Sequence, residues 1–89
     1  MKSFVSELID NLGAQKVRDE LIFRLAYAGD AGFYYLIPLA IVFPDAEEDI
    51  STILHFAKKH RASITFRCAG TSLSGQTVTD GLIVDLSKS

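Results

Sequence analysis

The residues best suited to chemistry lie together in one stretch, Arg67-Cys68-Ala69-Gly70-Thr71-Ser72-Leu73-Ser74-Gly75-Gln76. Most of its side chains are small, and its glycines permit φ > 0, so the backbone can lie close to a ligand and turn successive N–H groups toward one point. Converging N–H donors bind anions, most often phosphate. Arg67, the one charged residue here, suits either a phosphate or a structural ion pair at the end of a strand. Two known phosphate motifs fail. Gly70 and Gly75 have the Walker separation, but Gln76 stands where the lysine belongs, and a G-x-G-x-x-G fingerprint would open a helix, whereas this stretch leads through the turn Thr79-Asp80-Gly81 into a strand. Cys68 has no His or Asp at triad-suggestive spacing and reads as a small loop residue. A hydrolase built on Ser72 or Ser74 lacks the strand-to-helix G-x-S-x-G setting.

The elements that must position this loop are legible on either side of it. Ile64-Thr65-Phe66 reads as a short strand leading into it, and Leu82 to Leu86 as a strand leading out. Leu39 to Phe43 is a continuous apolar run ended by Pro44, which suits a strand buried on both faces of a parallel sheet. Asp45 can cap the following helix, with Glu47, Glu48 and Asp49 in its first turn and Lys58, Lys59, His60 and Arg61 at its end, where the helix dipole favours each sign. Ile50, Ile53, Leu54 and Ala57 form one apolar stripe, so a helix is predicted over 46–60. Strand, helix and strand make a βαβ unit. Upstream, Phe4 and Leu8 predict a helix over Ser3 to Leu12 stopped by Gly13. Val17, Leu21 and Leu25 predict a second helix over Lys16 to Tyr27. Ala28 to Gly32 is a breaker, followed by an extended approach from Tyr34 to Pro38.

The expected fold class is therefore α/β: a small, mainly parallel β-α-β-loop-β sheet, with a helical segment at 1–27 and the start of a binding domain at 28–89. The chain stops soon after Leu86, which reads as a domain incomplete at its C terminus. An uncovered strand Leu82 to Leu86 would offer an exposed apolar edge for self-association.

Composition excludes several classes. Eighty-nine residues make one small domain that buries around 60% of its unfolded surface. Nine basic against eleven acidic residues, with no basic run, argue against nucleic acid as a partner. A single cysteine and two scattered histidines give no internal disulfide and no metal-ligand spacing, and a reducing, cytoplasmic setting fits. The most apolar run, Phe33 to Phe43, falls short of the ~20 residues needed to span a bilayer. His55 and His60 read as structural, and the acidic cluster Asp45 to Asp49 as a helix start.

Arg67 to Gln76, flanked by these strands, resembles the pyrophosphate loop of FAD-linked oxidases with a PCMH-type (vanillyl-alcohol oxidase-like) domain, in the glycolate oxidase and D-lactate dehydrogenase branch. Tyr27-Ala28-Gly29-Asp30 through Tyr34 resembles the family's approach segment, Ile37-Pro38 through Pro44 its first strand, Glu47 to Ile50 the start of its crossover helix, and Asp80 to Ser87 its next strand. The resemblance implies that backbone N–H groups from about Cys68 to Leu73, with the Thr71 and Ser72 hydroxyls, hold the FAD pyrophosphate, and that Gly75 allows close approach. Members with covalent flavin of one type carry histidine where Thr71 stands, so non-covalent FAD is expected. Gly29 and Gly32 replace the family's usual threonine and serine. The implied full-length enzyme oxidises a 2-hydroxy acid with catalytic residues from outside this chain. It would bring the remainder of its flavin domain, a substrate domain and, in some relatives, an iron–sulfur module. A membrane-peripheral location stays open for it. The rival reading is a non-enzymatic module that binds a phosphate-bearing ligand or associates through a strand.

Overall fold

The two most apolar runs become the two central strands of one sheet. The computed structural model describes residues 2–30, 35–68 and 80–87. In chain order the elements are α1 (Phe4–Leu12), β1 (Val17–Arg18), α2 (Leu21–Ala26), β2 (Gly29–Asp30), β3 (Tyr35–Leu36), β4 (Ala40–Val42), α3 (Glu47–His60), β5 (Ile64–Arg67) and β6 (Leu82–Asp85). The main sheet has the order β1-β4-β6-β5, and β2 and β3 form a separate antiparallel pair. β4, β6 and β5 run parallel, with Ala40, Leu82 and Ile64 level at one end and Arg67 level with Asp85 at the other, while β1 is antiparallel at the edge. Ala40, Ile41, Val42, Leu82, Ile83 and Val84 are all fully buried, as strands covered on both faces must be.

Side-chain alternation divides that burial between two layers. Ala40, Val42, Leu82 and Val84 share a core with Phe4 and Leu8 of α1, Val17 of β1, and Ile53 and Ala57 of α3. Ile41 and Ile83 point to the opposite face, on the side of α2, whose Arg24 Nε donates to the Pro38 carbonyl at 2.8 Å. α1 is capped by the Ser3 hydroxyl, which accepts from the Ser6 N–H at 3.1 Å, and is stopped by Gly13 at φ +97°. It is clamped to α3 by Glu7, which accepts from Lys59 Nζ at 2.8 Å and lies 3.0 Å from His60 Nε2. Hydrogen bonds from these two side chains, Lys59 first, hold the Glu7 carboxyl below its usual range. His60 also packs on the Phe4 ring, a structural use.

The structure corrects several expectations. The segment Lys16 to Tyr27 is not one helix: Val17 and Arg18 form an edge strand, with the Phe43 N–H donating to the Lys16 carbonyl at 2.8 Å, and only Leu21 to Ala26 is helical. The open edge of β4 needs backbone partners, and that demand outweighs the local helical spacing. β4 and β5 are joined by α3 but are not neighbours, because β6 lies between them. The same placement removes the exposed edge expected for Leu82 to Leu86, which pairs on both sides. A strand with apolar residues on both faces belongs in the centre, while β5, carrying Thr65 and Arg67, takes the edge. Finally, Ala46, not Asp45, is the N-cap of α3. Asp49 reaches back to accept from the Asp45 N–H at 3.0 Å, and Lys16 bridges Asp45 and Asp49, each at 2.9 Å. The stripe of α3 is narrower than expected, since Leu54 is half exposed.

Candidate functional site

The carboxyl ends of parallel strands are where open α/β sheets bind ligands, and here three such ends lie side by side. Arg67 closes β5, Asp85 closes β6, and Phe43 follows the last residue of β4. Register makes them a row. Val42 pairs with Val84 and Arg67 with Asp85, so Phe43, Asp85 and Arg67 stand level and, by alternation, project from the face opposite α3.

Tyr27, just past the end of α2, lies across this row. Its hydroxyl donates to Asp85 Oδ2 at 2.7 Å, its ring meets Phe43 edge-on with centroids 6.4 Å apart, and the Arg67 guanidinium carbon lies 5.1 Å from its ring centroid. Asp85 is 5% exposed, and its Oδ1 accepts from the Ser87 N–H at 2.8 Å. Burial pushes its carboxyl up, but the hydrogen bonds from Ser87 and Tyr27 and the charge of Arg67 outweigh that and hold it below its usual value. Burial and the bond to Asp85 push the Tyr27 hydroxyl up to about 12. At neutral pH the pair is therefore a phenol donating to a carboxylate, a charge-assisted bond.

Arg67 makes no ion pair among the described residues; its charge rests on the Tyr27 ring. The Leu86 N–H donates to the Arg67 carbonyl at 2.7 Å, which ties the last residue of β5 to the end of β6. Cys68 is exposed. Ala69, Gly70, Thr71, Ser72, Leu73, Ser74, Gly75 and Gln76 lie outside the described residues, as do Ala31 to Tyr34 of the approach segment. Tyr27 and Asp85 were each within a segment singled out in the sequence, yet not as a pair. The available signal was a carboxylate within the apolar strand Leu82 to Leu86, which burial obliges to find a donor.

Two cavities open at the same edge. One of about 290 Å³ is lined by Pro44, Asp45, Ala46, Glu47, Ile50 and Leu86, between the start of α3 and the end of β6. The other, of about 400 Å³, lies where Lys16, Arg18, Phe23 and Phe43 meet. The start of α3 is a poor anion site despite its dipole, because Glu47, Glu48 and Asp49 occupy its first turn. Among the described residues, no group of three or more His, Cys, Asp or Glu could hold a metal, and no helix is long and apolar enough to cross a membrane.

Comparison with known proteins gives a consistent result. The sequence model of a family described as "FAD binding domain" matches residues 38–89, from just before β4 to the end of the chain. D-2-hydroxyglutarate dehydrogenase of Escherichia coli (strain K12) is 38% identical over 68 residues, covering 73% of this chain and 7% of that protein. Glycolate oxidase subunit GlcD of Bacillus subtilis (strain 168) is 36% identical over 89 residues, covering 98% of this chain and 19% of that subunit. The chain thus spans less than a fifth of the length of these relatives. A solved 4-ethylphenol oxidase from Gulosibacter chungangensis, in complex with isoeugenol, superposes with a TM-score of 0.80 over 96% of this chain and 18% of its own, at 22% identity, and so shares the fold.

The described residues fit FAD. FAD has an anionic centre, and Arg67, exposed at the carboxyl end of β5, carries the charge that such a centre calls for.

Proposed function

Because the chain belongs to the FAD binding domain family, we propose that it is an FAD-holding portion of an oxidoreductase acting on a 2-hydroxy acid, with residues 67–76 lying against the FAD pyrophosphate. The observation that carries the reading is the span of the family match, which takes in β4, α3, β5, the loop and β6 together. Support for the substrate class comes from the relatives' names, since 2-hydroxyglutarate and glycolate are both 2-hydroxy acids. Oxidation to the 2-oxo acid removes two electrons and two protons; FAD, when bound, accepts the hydride, and the hydroxyl proton passes to a base supplied from outside these 89 residues. This chain's own part is to bind and orient. Backbone N–H groups from about Cys68 to Leu73, with Thr71 and Ser72, face the pyrophosphate, and Gly70 and Gly75 let the backbone approach. Thr71 stands where one type of relative carries its flavin-linking histidine and cannot form that bond, which supports non-covalent FAD.

The test is an absorbance spectrum of the purified full-length protein from about 350 to 500 nm, then acid precipitation. Yellow flavin released to the supernatant and identified by mass spectrometry as FAD is the expected result. Colour retained in the pellet would refute the non-covalent attachment, and a protein that takes up no added FAD would refute the cofactor role itself. Gly70→Val should empty the site, because a branched side chain would stand where the backbone meets the pyrophosphate. Normal FAD occupancy in that variant would refute the assignment of this loop.

A further inference from the structure

We propose that Tyr27 is a positioning residue for FAD binding: by bonding Asp85 and carrying the Arg67 guanidinium on its ring, it fixes the root of the loop that begins at Arg67. The inference rests on the functional reading above. Tyr27 touches the ends of all three parallel strands, through Phe43, Asp85 and Arg67. It also stands two residues before β2.

The physical need is plain. Arg67 sits on an edge strand and its side chain is exposed, so a free arginine there would keep its full rotamer freedom. Stacking on an aromatic face removes part of that freedom before any ligand arrives. The aromatic ring is itself held, since its hydroxyl is tied to a carboxylate on the central strand and its edge to Phe43. Ser87, by donating to the other oxygen of Asp85, keeps the carboxylate turned toward Tyr27. An arginine already held in place loses less freedom on pairing with an anionic ligand, and the saving appears as affinity.

The experiment measures FAD Kd and apoprotein melting temperature on the full-length protein and its variants. Tyr27→Phe keeps the ring and removes the hydroxyl; it should lower the apoprotein melting temperature, because buried Asp85 loses a donor, and should also weaken FAD roughly tenfold. Tyr27→Leu should weaken it further. Asp85→Asn, which retains an acceptor oxygen, should fall between wild type and Tyr27→Phe. The deciding measurement is the pair Tyr27→Leu and Arg67→Gln: the double variant should lose less affinity than the product of the single losses, because each single change already frees the same root. Losses that multiply, or Tyr27 variants that melt earlier yet bind FAD as wild type does, would overturn the inference and reduce Tyr27 to a structural role. Should Tyr27→Leu not fold, Tyr27→Phe paired with Arg67→Gln decides in the same way. Wild-type protein that takes no FAD would end the functional reading, whereas wild type that binds FAD with Kd unmoved in the variants ends this inference alone.

Discussion

Replacing Gly81 by alanine should unlock the parallel sheet at its start. Gly81 is pinned on two sides: its carbonyl accepts from the Leu39 N–H at 2.8 Å, and the next residue's N–H donates to the Ser63 carbonyl at 2.9 Å. A Cβ at this position would stand 2.2 Å from Ser63 Oγ and 2.4 Å from the Ser63 carbonyl oxygen. The side-chain oxygen can rotate away, but the carbonyl cannot without carrying the start of β5 off β6. The cost is then one ladder hydrogen bond, about 1 kcal/mol, plus strain of about 1–3 kcal/mol from crowding a close-packed site. That amounts to about 2–4 kcal/mol, a large part of what holds a small domain folded. Urea unfolding followed by far-UV circular dichroism reads it as a midpoint lowered by roughly 2–4 M, for a denaturant slope near 1 kcal/mol/M. Ser63→Ala in the same chain separates the two contacts, because it removes Oγ and leaves the carbonyl in place. A Gly81→Ala variant within about 0.5 kcal/mol of wild type, or a double variant restored to wild-type stability, would refute the backbone clash.

Three further outcomes follow from the same coordinates. Ile53→Ala removes a fully buried side chain from the middle of the core between α3 and the sheet, and should cost about 2–5 kcal/mol in the same unfolding assay. Arg61 ends α3 in the left-handed region at φ 54°, so Arg61→Gly should raise stability by roughly 0.5–1 kcal/mol; a fall would show that its side chain does more than terminate the helix. The third concerns pH. Tyr27 is raised from 10.0 to about 12, so its contribution is complete below pH 10 and is lost as pH rises from 10 toward 12. Asp85 is lowered below 3.8, so its contribution is present above that value and is lost as pH falls through the lower native one. The urea midpoint should decline at both ends, and Tyr27→Phe should flatten the alkaline decline. An unchanged alkaline slope in that variant would mean another group titrates there.

How much was legible before the structure depends on how local each determinant is. The helix over Glu47–His60 follows from a charge gradient and an apolar stripe within one segment, and α1 from its own Phe4, Leu8 and Gly13. The central strands Ala40–Val42 and Leu82–Asp85 announce themselves by having no polar face. The loop and its family resemblance were equally local, carried by residue types at fixed spacing from Arg67 to Gln76, and the family match across 38–89 bears out the resemblance.

What only the tertiary structure decided are relations between segments that no window contains. Val17 and Arg18 carry a helical spacing, yet they form a strand because β4 presents an open row of N–H and C=O groups. The order that puts β6 between β4 and β5 reversed the expected exposed edge, since two continuous apolar strands are cheapest when each covers the other. The row of Phe43, Asp85 and Arg67 under one tyrosine depends on strand register, joining residues 58 positions apart through a single hydrogen bond. Chemistry written in adjacent residue types was thus available from the sequence, and the geometry that holds it arose only when backbone pairing and burial chose which segments meet.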